Sequence, residues 1–122
     1  MKIQAQPNGS VMVLVAHGPL VGEEVVDLRR ALESASDRSD AGGTGLKPVA
    51  RRVILDLSDV PYLDSAGIEF LVQTCDLSVS ALQRPTLAAL SETCREALEL
   101  TDTLSRLPVY DTVENALRSC QR

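Results

Sequence analysis

The run at residues 51–72, RRVILDLSDVPYLDSAGIEFLV, restricts the possible folds more than any other part of the chain. Val53, Ile54, Leu55 and Leu57 form a nearly continuous apolar segment, the pattern of a strand covered on both faces. Pro61 then bars a helix from running through this point and favours an extended approach. Beyond it Ile68, Leu71, Val72, Cys75, Val79 and Leu82 recur at three- and four-residue steps, which makes a helical stripe. A doubly buried strand that feeds an amphipathic helix is the unit from which parallel sheets with helical layers are built.

The rest of the chain repeats the unit. KIQAQ alternates apolar and polar residues, PNGS carries the Asn-Gly signal of a hairpin, and VMVLVA reads as a second strand buried on both faces. HGPL ends that strand. Val25, Leu28, Leu32 and Ala35 make the first helical stripe. Residues 36–49, SDRSDAGGTGLKPV, are rich in Gly, Ser and Asp and are expected to form a mobile loop; too little chain precedes them for a separate core. Pro85 stops the second helix and TLAAL is a short strand. Ser91 caps a helix that carries Cys94, Ala97 and Leu98, and LPVY is extended. Asp111 and Glu114 form a D-x-x-E capping pattern ahead of Val113, Ala116, Leu117 and Cys120. The expected order is β-β-α-β-α-β-α-(β)-α, with central strands at 11–16, 53–57 and 86–90 and a helix at 66–82. This is an α/β fold with a largely parallel sheet, an N-terminal hairpin at one edge, and one domain over residues 1–122.

Charge and composition narrow the function. Twelve basic and 17 acidic residues leave a net charge of −5, and the aromatics are Phe70, Tyr62 and Tyr110 alone. Such a chain has neither the basic stripe nor the stacking platforms that nucleic acids need. No apolar run approaches the length of a membrane span, and MKIQAQPNGS has no signal-peptide core, so the expected location is the cytoplasm, without membrane insertion. Cys75, Cys94 and Cys120 are far apart and His17 is the single histidine, which argues against a zinc site. Cys75 and Cys94 fall on apolar stripes and are expected to be buried small hydrophobes. No cofactor is expected.

The serine in DSAG has three possible roles. As a nucleophile, Ser65 needs an activating base; the hydrolase elbow requires glycine at position 63, where Leu63 stands, and His17 precedes the serine instead of following it. Asp56 and Asp59 are three apart, whereas aspartyl-phosphate enzymes set two acids two apart, so a strand ending in a turn accounts for them. AGGTGLKP follows a helix, the wrong context for a phosphate-binding loop. No enzymatic activity is therefore expected. As a cap, Asp64 or Ser65 satisfies the free N–H groups of a helix that begins near Ala66. As a modification target, Ser65 lies at a helix end that tolerates phosphate, and the added charge of roughly −1.5 to −2 would repel a docked partner.

VMVLVAHGPL, RRVILDLSDVPYLDSAGIEFLV, LAALSETCREALELTDTLSRL and PVYDTVENAL together resemble the STAS domain family of bacterial anti-sigma-factor antagonists, over nearly the whole chain. The resemblance implies a mixed sheet packed with about four helices. It also implies a non-enzymatic partner of a serine-kinase-type anti-sigma factor, which phosphorylates the serine that follows the aspartate of the D-S-[ST/A]-G motif. That position is Ser65. A serine phosphatase resets the switch. Partner contact is expected at Asp64, Ser65, Ala66 and Gly67 and at the neighbouring turn, His17 and Gly18. The chain departs from the family pattern at Ala66, where a second hydroxyl is usual, at Val21, where an aspartate is common, and at Glu69, where glycine is frequent and a carboxylate would crowd a phosphate. Other STAS domains are subunits of lipid-transporting ABC systems, scaffolds, or modules resembling nucleotide binders; these roles remain alternatives.

Overall fold

A computed structural model describes residues 1–8, 11–36, 52–75 and 85–120. Its strands are β1 (Lys2–Asn8), β2 (Val11–His17), β3 (Arg52–Asp59), β4 (Thr86–Ala88) and β5 (Val109–Tyr110). The helices are α1 (Glu24–Ser36), α2 (Ser65–Cys75), α3 (Glu92–Leu100) and α4 (Val113–Cys120), with a 3-10 turn at Leu104–Arg106. The strands lie side by side in chain order; β1 pairs antiparallel with β2, and every later pair is parallel. This is the mixed sheet with an edge hairpin that the sequence predicts. Asn8 pairs with Val11, and residues 9 and 10, on which the expected Asn-Gly turn falls, lie outside the described residues. The Gly/Ser/Asp-rich loop beyond Ser36 and the expected helical residues after Cys75, Val79 and Leu82 among them, also lie outside them.

Helices α1, α2 and α3 bury their apolar faces in one cluster on the same face of the sheet, the placement expected of crossovers of one hand that advance in one direction. Leu14, Ala16, Leu55 and Leu57 meet Leu28, Leu32, Phe70, Leu71, Cys75, Cys94 and Leu98 there in one buried cluster. The opposite residues of the same strands, Val11, Val13 and Ile54, bury against Ala116 of α4. The apolar runs of β2 and β3 have no polar alternation because each is covered by helices on both sides. Cys75 and Cys94 are fully buried, as their stripes require.

Two expectations need correction. The buried face of α2 is Gly67, Phe70, Leu71 and Cys75, while Ile68 and Val72 are only half-buried. The stripe is rotated because α2 leans on α1, whose Arg29 guanidinium lies 5.5 Å from the centre of the Phe70 ring. At α4 the cap is Thr112, whose hydroxyl accepts from Asn115 N at 3.0 Å; Asp111 turns out to pair with Arg95 on α3 at 3.4 Å. A hydroxyl one residue further along was free to cap, so the carboxylate was left for the cross-helix pair.

Candidate partner-docking site

The site lies at the carboxyl ends of the parallel strands, where β2 and β3 run out into turns. Gly18 N donates to Asp59 O at 3.1 Å, Leu20 N to Tyr62 O at 3.0 Å and Asp64 N to Leu20 O at 3.3 Å. Leu20 and Leu63 form a parallel bridge, so the turn after β2 is laced to the segment that leads into α2. Gly18 holds φ +106° and Gly22 φ +38°, a region that glycine enters without penalty.

Asp64 is the cap. Its Oδ1 accepts from Gly67 N at 3.0 Å, while Oδ2 accepts from Gly22 N at 3.2 Å in the adjoining turn. Ser65 is the first helical residue, exposed, and no hydrogen bond joins its hydroxyl to another described residue. The choice between Asp64 and Ser65 that local sequence left open is thus made by the carboxylate, which reaches two amides where a hydroxyl reaches one. Gly67 is buried because the turn presses on it: a Cβ there would lie 2.3 Å from Leu20 O and 3.1 Å from Leu63 Cβ. Ala66 is half-buried and packs on the main core, so of the four DSAG residues Ser65 is the one exposed without a structural bond of its side chain.

Gly18 adjoins this surface through the laced turn, but the His17 ring faces another way. Its Nδ1 lies 2.6 Å from Asp59 Oδ2 and its Nε2 3.1 Å from Gln4 Oε1, which anchors the corner of β1, β2 and β3. Asp56 accepts from Ser58 N at 3.0 Å, so neither acid of DLSD faces the other as a catalytic pair. Val21 is half-buried, and its carbonyl takes the Glu24 amide at 2.7 Å. Glu69 stands one turn above Ser65, exposed, with Gln73 Nε2 at 3.4 Å from its carboxylate.

Sequence reasoning missed Tyr62, which precedes the bridge residue and leaves half of its surface, 50%, in solvent. Tyr62 lies three residues before Ser65, and a large exposed aromatic is the kind of side chain enriched at interfaces. Its signal was its place between Pro61 and Leu63, where neither period buries it. The strand order shows no reversal, so no crevice of the doubly wound kind opens at the strand ends. An open hollow lined by Tyr110, Asn115, Arg118 and Ser119 lies on the α4 side, across the sheet from α2.

These features define a mixed α/β module that exposes a helix start at one rim of its sheet. The chain belongs to the STAS domain family, whose pattern it matches over residues 2–116. An anti-sigma factor antagonist from Mycobacterium paratuberculosis superposes with a TM-score of 0.74 at 20% identity, covering 99% of this chain and 94% of that one. The Bacillus cell fate determinant SpoIIAA, solved in its phosphorylated form, gives 0.59 at 16% identity, covering 98% and 100%. The murine Solute Carrier 26 family member A9 anion transporter gives 0.67 at 18% identity, with 95% of this chain matching 18% of that one. Comparison with curated proteins returned no match. Among the described residues no helix is long and apolar enough to cross a membrane.

Proposed function

We propose that this chain is an anti-sigma-factor antagonist that docks a serine-kinase-type anti-sigma factor through the rim formed by residues 18–22 and 62–67, and that phosphorylation of Ser65 ends the interaction. The observation that carries this reading is the state of Ser65: first residue of α2, exposed, and relieved of capping by Asp64. A phosphate there is stabilised by the helix end, so the fold tolerates it. In the modification, the γ-phosphoryl group of a kinase-bound nucleoside triphosphate moves to Ser65 Oγ, the hydroxyl proton passes to a base of the kinase, and the diphosphate leaves. A phosphatase returns the hydroxyl by hydrolysis. A non-enzymatic role agrees with the partners already found for Asp56, Asp59 and His17, none of which faces Ser65 as a base.

The chemistry of the rim also describes the partner. The rim and the residues that flank it, 17–24 and 58–69, contain Glu23, Glu24, Asp59, Asp64 and Glu69 and no Lys or Arg, with Glu24 paired to the Met1 amino group. A partner surface that complements them is cationic, and its association rate should fall with salt. Tyr62 supplies the aromatic contact.

The test is incubation with the cognate kinase-type anti-sigma factor and nucleoside triphosphate, read by mass spectrometry, with binding measured in parallel. One phosphate is expected on Ser65. Ser65→Ala should bind like the parent and accept none, while Ser65→Asp should bind on the order of tenfold more weakly, since it places a charged group where a hydroxyl is buried. Labelling of another residue, or unchanged binding of Ser65→Asp, would overturn the reading in favour of an unphosphorylated STAS scaffold.

A further inference from the structure

Capping α2 requires one oxygen of Asp64, yet both are engaged. Oδ1 closes the first turn of the helix at Gly67 N, and Oδ2 holds Gly22 N, 42 residues away in the chain. We propose that Asp64 is a positioning residue: its carboxylate clips the end of the Gly18–Gly22 turn to the start of α2, and a phosphate on Ser65 opens the clip. The opening of the clip rests on the reading of Ser65 as the phosphorylated residue.

At Gly22 the turn is tied to α1, through its carbonyl, which accepts from Val25 N at 3.2 Å, and the carboxylate supplies the tie to α2. The turn's backbone ladder to the 59–64 segment runs through Gly18, Leu20 and Asp64 and goes no further. Packing does not hold Gly22: it is exposed, and nothing lies within 4 Å of the position its Cβ would take. Among the described contacts, the Gly22 N–H has Asp64 Oδ2 as its partner. Glu23, which carries part of the rim's charge, comes directly after it.

A phosphate on the adjacent residue competes with the carboxylate. It brings three acceptor oxygens and roughly −1.5 to −2 charges to the same helix end. The free amides there attract whichever anion is stronger. Two anions on neighbouring residues also repel each other, so the carboxylate swings away from Gly67 N and releases Gly22. Release then has two sources: the added charge, which must be desolvated on docking, and loss of the preformed turn, which a cationic partner's attraction for the phosphate does not offset.

The clip can be tested on the free protein, by NMR-detected amide exchange at Gly22 and along α2. Asp64→Asn keeps the capping oxygen and turns an NH2 donor toward the Gly22 N–H. Asp64→Ser keeps a capping hydroxyl and lacks a second acceptor. Gly22 should exchange roughly five- to tenfold faster in both, as expected for loss of one hydrogen bond, while the amides of Phe70 and Leu71 stay protected and report an intact helix. Protein carrying phosphoserine at position 65, installed during translation, should show the same split. Gly22 exchanging at the parent rate in both variants would overturn the clip, and the parent rate in the phosphoserine protein would overturn its release. Because no partner is present, these results stand apart from the kinase assay: Ser65 labelled with Gly22 unmoved retains the switch and removes the clip, and the reverse retains the clip and removes the switch.

Discussion

Helices α2 and α3 both begin beside a serine, at the carboxyl ends of neighbouring strands, and the two serines have opposite fates. Ser91 is the cap of α3: its hydroxyl accepts from Cys94 N at 3.3 Å and donates to Val60 O at 2.8 Å. The Cys94 thiol donates to the same carbonyl at 3.3 Å, so the start of α3 is riveted under the segment that leads to α2. Ser65 stands one residue later relative to its helix. Asp64 does the capping, and the Ser65 hydroxyl is left in solvent. A shift of one position along a helix end separates a serine that is part of the structure from one that is available to a partner.

The largest expected effect breaks the contact on which the α2 start depends. Gly67→Ala would put a Cβ 2.3 Å from a backbone oxygen, Leu20 O, which cannot rotate aside as a side chain can. The loss should be about 2–3 kcal/mol, of the order of overpacking in a core and larger than the gain in helix propensity. Urea denaturation measures it, and a loss below about 0.5 kcal/mol would mean that α2 can move away from the turn freely.

The second prediction sets the two serines against each other. Ser91→Ala should lower stability by about 1–2 kcal/mol, because it removes a cap and one of the donors to Val60 O. Ser65→Ala should stay within about 0.5 kcal/mol, as for an exposed residue with no bond to lose. Equal values from denaturation curves of the two variants would erase the distinction drawn between the helix starts.

The smallest effect concerns the thiol beneath Ser91. Burial pushes the Cys94 thiol above its ordinary value of 9.0, and the Ser91 contact only partly offsets this. The unfolded chain therefore ionises first as pH rises. The stability linked to this group is complete below about pH 9 and drains away above it, toward the raised folded value. Cys94→Ala should flatten this alkaline decline in a series of melts, although it lowers stability at neutral pH through the cavity. At pH 8 a thiol reagent should label half-buried Cys120 and leave Cys94 untouched in the native protein.

The sequence by itself determined the elements that period and punctuation define. β2 and β3 were legible because an apolar run with no polar alternation has to be covered on both sides, and the Ser91 cap because a hydroxyl ahead of a helical stripe acts within one turn of chain. Ser65 was legible as a residue of interest, with the cap left open between it and Asp64 and its modification implied by the family resemblance. Tertiary structure decided the rest: that Asp64 caps and reaches Gly22, that Gly67 is a contact and not merely a small residue, that Phe70 turns inward, that Thr112 displaces Asp111, and that the His17 ring faces Gln4 and Asp59. Each of these depends on a segment about 13 to 50 residues distant or on an adjoining helix. Local periodicity records how much of a side chain is buried on average; which distant backbone approaches within hydrogen-bonding range is set only when the strands and helices pack.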